Sequence, residues 1–456
     1  VKPLSEEPNM SAHFWDDPLA ILYIIIAFLV LDNLWGVYLM LRDIQVAYKT
    51  QQVPNVISPY LPQELYDKMR VYKIHKGWFT IVNTLLSAVI LGIMELYFGF
   101  YAWLYGVAGK CALSKWMEHE ACVSVIFVLL LSVYFWLKSV PAMIYESCCI
   151  KSLQPRPKPP WWSRICHFVV DLVVGAMITT LVVVALVYMF IGLGPYAPLG
   201  LYLQSLILTM IVLLLIPFMI HPFVGQSVPL ENSNLRTQLE YLTRQVGFPM
   251  SQVRIIRVHD PNTGSNAFFY GCCCLKRIVI FDTLLLNRGK SDLSHLTAEE
   301  LGRGLADPQV VAVVAHELGH WRNGHFYKAI MAFQVHLILT ILLFALLFSH
   351  GPIYQAVGFP PGLQPTVIGC LIIFGFVLTP YMTLANFSML SMTRCFEYQA
   401  DRFAYQLGYG GELRQALLKL YADNLAFPVS DPCYSSWNHT HPTMLDRLSR
   451  LEEFRR

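Results

Sequence analysis

Seven apolar runs, each near the roughly 20 residues of helix that a hydrocarbon core demands, restrict this chain more than any other feature. They lie near Leu19 to Leu41, Trp78 to Tyr101, Ala121 to Leu137, Ile165 to Ile191, Pro198 to Ile220, Ala329 to Phe348 and Thr366 to Met389. A soluble domain has no core able to cover so many. The charge content agrees, since 14% of the 456 residues are Asp, Glu, Lys or Arg where soluble proteins carry about 25%. The expected class is an all-α membrane protein with seven transmembrane helices. Asp32, Asn83, Glu95, Asp171 and Asn386 interrupt the runs. Such groups face protein or water rather than lipid, which indicates either a wet interior or pairing between neighbouring helices.

Loop charge orients the runs. Lys2 stands ahead of the first against Glu6, Glu7, Asp16 and Asp17, whereas the next connection carries Arg42, Lys49, Lys68, Arg70, Lys73 and Lys76. After the third run come Lys138, Lys151, Arg156, Lys158 and Arg164, and the intervening connections hold few basic residues or none. The positive-inside rule then expects a lumenal N-terminus and a cytosolic C-terminus, with the first run acting as its own insertion signal. The chain divides accordingly into residues 1–221 with five membrane helices, a cytosolic segment 222–328, two more membrane helices in 329–392 and a cytosolic tail 393–456. The proline-rich Ser152 to Trp162 reads as extended, with Trp161 and Trp162 at the membrane interface. A net charge of +3, with no basic tract interleaved with aromatics, argues against a nucleic-acid partner. Eleven cysteines, with Cys148-Cys149 and Cys272-Cys273-Cys274 adjacent rather than in CxxC pairs, fit reduced thiols better than a disulfide framework or a cysteine metal site.

The chemistry centres on His316-Glu317-Leu318-Gly319-His320. Two imidazoles four residues apart stand on one face of a helix, about one turn from each other, so both can bind one metal ion. Glu317 is turned toward the open side of such a metal, where it could take a proton from a bound water. The blander alternative is a buried helix with two satisfied histidines. Asp307 can cap the helix and Pro308 suits its first turn. A catalytic zinc takes three protein ligands, and the best third candidate is Glu397 in a helix continuing from the last run. Asp401, four residues on, shares its face and could accept the second ring N–H of a ligating histidine. Upstream, Asn234 to Val246 reads as an amphipathic helix. Gln252 to Val258, Asn266 to Tyr270 and Arg277 to Phe281 read as strands of a small antiparallel sheet, with turns at Asp260-Pro261-Asn262 and Gly264. An edge strand there would let an extended peptide pair by main-chain hydrogen bonds beside the metal, and Asn266 could contact its backbone.

HELGHW at His316, SNAFFYG followed by KRIVIFDTLL, FEYQAD around Glu397, NLAFPVSD and HPTMLDRL together resemble the CAAX prenyl protease 1 family, integral-membrane zinc metalloproteases of the endoplasmic reticulum and nuclear envelope. The similarity runs over most of the chain. It implies that His316, His320 and Glu397 bind one zinc ion and that Glu317 is the general base. It further implies that His441 assists the tetrahedral oxyanion and that Asn266 and Arg447 hold substrate. The implied fold is a seven-helix barrel around a large chamber, with a small cytosolic zincin-like α+β portion. The implied reaction is removal of the last three residues from prenylated CAAX proteins. Tyr145 to Trp162, YESCCIKSLQPRPKPPWW, departs from the family's charged EKHGFN-like segment, and GCCCLK replaces aromatic and polar turn residues. Two other readings stand beside this one: a membrane quality-control protease acting on unprenylated chains, and a catalytically silent relative whose chamber serves binding.

Overall fold

The computed structural model describes residues 14–454 except 112–118, 151–152, 154–160, 229, 231–232, 260–263, 272–274, 291–293, 295–300 and 426, and omits the side chains of 161–169, 171–172 and 216–223. Most of the proline-rich connection, the Asp260-Pro261-Asn262 turn, the three adjacent cysteines at 272–274 and the Asp171 side chain lie outside the described residues.

Five helical stretches among the described residues are long and apolar enough to cross a membrane: Pro18–Lys49, Gln63–Tyr97, Glu120–Ile150, Val173–Leu215 and His325–Phe348. A sixth is made of Thr366–Val377 and Thr379–Gln406, which meet at 61°. The fourth and fifth sequence runs form one apolar stretch, but a 3-10 turn at Gly194–Tyr196 divides it into helices Trp161–Leu193 and Ala197–Phe223. The last run bends because a π-turn spans Ile373–Val377 and Pro380, in the first turn of the next helix, has no N–H to continue the ladder. The first helix starts where expected of Asp17-Pro18: the Asp17 carboxylate accepts from Leu19 N at 3.0 Å and Pro18 takes the first position.

The polar groups inside the runs are mostly paired. Glu95 accepts from the hydroxyls of Tyr101 (2.8 Å) and Tyr134 (2.7 Å) and bonds Lys138. Asp32 accepts from Thr383 at 2.6 Å, and Asn83 from Ser87 at 3.3 Å. Pairing between helices therefore accounts for Glu95 and Asp32, Asn83 bonds one turn along its own span, and Asn386 is exposed.

Four strands, β1 (Gly225–Val228), β2 (Val253–Val258), β3 (Ala267–Tyr270) and β4 (Arg277–Phe281), make one sheet in the order β1-β2-β4-β3. The sheet is mixed, not antiparallel throughout. β2 and β4 run parallel, with Ile255 opposite Ile280, while β1 and β3 flank them antiparallel. β3 folds back antiparallel on the outer edge of β4 and leaves the inner edge to pair with β2 in parallel; Ile278, Val279 and Ile280 of β4 are covered on both faces, as suits a parallel pairing. β3 is consequently an edge. The amphipathic helix between β1 and β2 runs Ser233–Val246.

The HELGH helix, Asp307–Arg322, is buried at every position from Val310 to Gly319. A helix covered on all sides is a core element, here packed among β3, Ser233–Val246, Thr379–Gln406 and Gly410–Asp423. Its N-cap is Ala306, not Asp307. The Gln309 side chain reaches back to accept from Ala306 N at 3.2 Å, which frees Asp307 to accept from Asn234 Nδ2 at 3.0 Å. Gly324, with φ +66°, turns the chain directly from this helix into the span helix His325–Phe348.

Candidate active site

The two helices that carry His316, His320, Glu397 and Asp401 meet at one close crossing. A Cβ on Gly319 would lie 2.9 Å from Ala400 Cα and 3.1 Å from Ala400 O. Only a residue without a side chain admits so close an approach. It brings the face of Thr379–Gln406 that carries Glu397 and Asp401 against the face of the HELGH helix that carries His316 and His320.

The result is a compact donor set. His316 Nε2 and His320 Nε2 lie 3.1 Å apart, and Glu397 places Oε2 3.6 Å from the first and Oε1 3.4 Å from the second. Tetrahedral zinc bonds of about 2.0–2.1 Å imply donor separations of about 3.3 Å. The three edges therefore match the size of one zinc tetrahedron, and three donors from one carboxylate and two imidazoles leave a fourth position open. Glu397 is 5% exposed and cannot be read as a solvated face.

The remaining ring nitrogens are held as well. His316 Nδ1 lies 2.9 Å from Asp401 Oδ1. Asp401 also receives Arg447 Nε at 2.9 Å and Nη2 at 2.6 Å, a two-pronged buried pair. Arg447 Nη1 is 3.4 Å from Glu397 Oε2. Burial alone would lower the Arg447 pKa, but the Asp401 carboxylate beside it holds the guanidinium above its ordinary value. His441, largely exposed, sets Nδ1 3.1 Å from Glu397 Oε1.

Glu317 points at the sheet. Its Oε2 accepts from the backbone N–H of Phe269 at 3.1 Å, which puts the outer edge of β3 beside the donor set. Burial pushes the Glu317 carboxyl above the usual carboxylate range, against the opposing pull of His316, His320 and the Phe269 N–H. Asn266, exposed, directly precedes β3. Its carbonyl accepts from Phe281 N, and the neighbouring Ser265 is pinned by Asn424, which both accepts from Ser265 N (2.9 Å) and donates to Ser265 O (3.2 Å). These groups line one cavity of about 560 Å³, with Asn266, Phe268 and Phe269 on one wall and His316, Glu317, His320, Glu397, His441 and Arg447 converging on it. Asp401, fully buried, stands behind the wall.

Residues 43–226 match the family model for the CAAX prenyl protease N-terminal region, five membrane helices, and residues 229–455 match peptidase family M48. A CAAX prenyl protease 1 homolog of Mus musculus is 31% identical over 446 residues, covering 92% of this chain and 92% of that protein. The homolog of Homo sapiens is 31% identical over 441 residues, with the same coverage. The chain belongs to the CAAX prenyl protease 1 family. The crystal structure of S. mikatae Ste24p matches it with a TM-score of 0.79 at 26% identity, covering 95% of this chain and 99% of that one. As a family member it is a multi-pass membrane protein and a metalloendopeptidase, with a mostly helical Ste24p-like fold and a small sheet portion.

One further residue, which no motif in the sequence marks, completes this site. His325 Nδ1 lies 3.0 Å from His320 Nδ1, its Nε2 lies 2.9 Å from Gln399 Oε1, and its ring stacks on Phe396 at 4.2 Å. With His320 Nε2 turned to the donor set, His320 Nδ1–H donates to His325, whose Nε2–H donates to Gln399. The available signal was a second histidine just past HELGH, on the far side of Asn323-Gly324. It reaches back only because Gly324 reverses the chain.

Proposed function

We propose that this protein removes the C-terminal three residues of prenylated CAAX proteins by hydrolysis of a peptide bond, with one zinc ion held by His316, His320 and Glu397. The observation that supports this most is the donor triangle of zinc size at the floor of a cavity whose opposite wall is a sheet edge. When bound, zinc supplies the Lewis acidity that polarises a carbonyl and acidifies water. Glu317, beside the open position, takes the proton of the attacking water. The raised proton affinity that burial gives its carboxyl suits a group that accepts a proton and then passes it to the leaving amine. An extended substrate adds to β3, with Asn266 holding its backbone. His441, exposed and next to the donor set, stabilises the developing oxyanion. Arg447 keeps one guanidinium edge on Asp401 while lining the cavity, so the same residue fixes the histidine support and offers a cation to a peptide carboxylate.

The membrane reading goes with this. Counting Trp161–Leu193 and Ala197–Phe223 as two crossings gives a seven-helix barrel around a chamber, with residues 222–328 and 393–456 on the cytosolic side of the endoplasmic reticulum membrane and nuclear envelope and the N-terminus lumenal. The four sequence segments described above serve as its working parts.

Glu317→Gln in the purified full chain in liposomes tests the chemistry. One zinc per chain is expected to remain while cleavage of a farnesylated CAAX peptide falls by about 10²–10⁴-fold. Undiminished cleavage overturns the role of Glu317. The unmodified chain cutting prenylated and unprenylated peptides equally well overturns the substrate class and leaves a metalloendopeptidase of the quality-control kind.

A further inference from the structure

Two adjacent thiols, Cys148 and Cys149, stand where the span helix Glu120–Tyr145 ends in a π-turn, Glu146–Ile150. Both are exposed, whereas Ile150 next to them is buried. One turn back on the same side lie Ile144 and Tyr145, also exposed although large and apolar. We take lipid, rather than the chamber proposed above, to cover these apolar side chains at the end of a candidate membrane span. The thiols therefore lie on the lipid-facing side of this helix, at its end.

The height and leaflet follow from a ring contact. Tyr145 stacks on Phe79 of the helix Gln63–Asn83, with centroids 5.2 Å apart. Lys76 precedes Phe79 by one turn, with Lys73, Arg70 and Lys68 further back, and Lys151 follows the cysteines in the chain. Basic residues gather at the cytosolic end of a span. Cys148 and Cys149 thus sit where headgroups meet acyl chains in the cytosolic leaflet, a position open both to cytosolic acyl donors and to the hydrocarbon.

We propose that Cys148 and Cys149 are sites of reversible S-acylation by long-chain acyl groups. The thiolate sulfur attacks the carbonyl of an acyl-coenzyme A thioester. A new carbon–sulfur bond forms, the bond to the coenzyme A sulfur breaks, and coenzyme A leaves carrying the proton, with no change of oxidation state. The attached chain continues into the leaflet alongside Ile144 and Tyr145 and fixes the depth of this helix end. The inference rests on the cytosolic orientation read from loop charge, not on the catalytic assignment.

The test uses the full chain expressed in a eukaryotic cell. Unmodified thiols are blocked with N-ethylmaleimide, thioesters are cleaved with hydroxylamine, and the released thiols are mass-tagged. One or two tags are expected, abolished in the C148S/C149S double variant and kept in C111S. No hydroxylamine-dependent tag, or a tag that persists in the double variant, overturns the proposal. On hydroxylamine-treated sealed microsomes, a membrane-impermeant maleimide reaches Cys148 only if this end faces the cytosol. Labelling there without an acyl tag overturns acylation alone, and no labelling overturns the orientation as well.

Discussion

Substituting Gly319 by Ala sets two effects of opposite sign against each other. In a helix interior Ala is favoured over Gly by about 1 kcal/mol, so on propensity alone the variant would be more stable. The structure says otherwise. The new methyl would sit 2.9 Å from Ala400 Cα and 3.1 Å from Phe403 Cβ. The first of these is backbone, which no rotamer change can move. Restoring ordinary contact requires the two helices to separate by about 0.5–1 Å, and overpacking of that kind costs about 1–3 kcal/mol. Glu397 lies on the displaced helix one turn before Ala400, so the donor triangle opens by a similar distance, several times the tolerance of about 0.2 Å on a metal bond. The expected outcome for G319A is an equal or lower unfolding temperature for the protein stripped of zinc, and zinc affinity reduced at least tenfold in competition with a chelator of known strength. A variant that binds zinc as tightly as the unmodified protein would show that the Gly319–Ala400 crossing does not set the triangle, and the account of how the site is assembled would fail.

Asp401→Asn removes the partner of the buried Arg447 charge and weakens the acceptor of His316 Nδ1. It should destabilise the fold by about 3–5 kcal/mol and weaken zinc binding about 10–100-fold, both measurable by denaturation and chelator competition; unchanged zinc affinity would remove Asp401 from the support of His316. His325→Phe keeps a ring to stack on Phe396 but loses both nitrogens, so zinc affinity should fall about tenfold while the unfolding temperature holds, and equal zinc affinity would count against the relay through His320. Asp43 accepts from Lys73 Nζ (2.9 Å), Ser430 Oγ (2.6 Å) and Asp431 N (2.9 Å), tying the first span helix to the segment before His441. Asp43→Asn should therefore lower kcat for a prenylated peptide with zinc content unchanged, since the proposed metal ligands sit on other helices, and a loss of zinc instead would refute that division of labour.

Those groups differ in how far the sequence declared them. His316, Glu317 and His320 are legible because helical period alone puts them on neighbouring faces, a local fact. Glu397 and Asp401 are legible at one remove, as a carboxylate pair on a helix whose side of the membrane loop charge indicates. What decides whether they reach the histidines is the closeness of the crossing at Gly319 and Ala400, and nothing in spacing measures that. His325 escaped because its contact depends on a left-handed turn at Gly324 that folds a neighbouring helix back on the site. The mixed sheet escaped for a related reason. Gly225–Val228 is too short and too polar to declare itself a strand, and without it the parallel pairing of Val253–Val258 with Arg277–Phe281 has no flank.

The apolar runs also mislead where they are continuous. The bend of 61° between Thr366–Val377 and Thr379–Gln406 lies inside what hydropathy reads as one crossing. That bend has a consequence for chemistry. Past Leu378 the helix runs unbroken to Gln406, so Thr383, which bonds Asp32 of the first span helix, and Glu397, which meets the histidines, belong to one rigid rod. Arg394 of the same rod donates to the Ser435 carbonyl and hydroxyl, and Ser435 follows the Asp431 that Arg42 and Asp43 hold. Glu397, the proposed carboxylate ligand, and the loop bearing His441 are thus tied to the membrane helices, while the helix of His316, Glu317 and His320 packs on the sheet. Hydrolysis needs both sets in register. On the proposed ligand set, a fragment of this chain lacking the helix Thr379–Gln406 would lose Glu397, one ligand of the three.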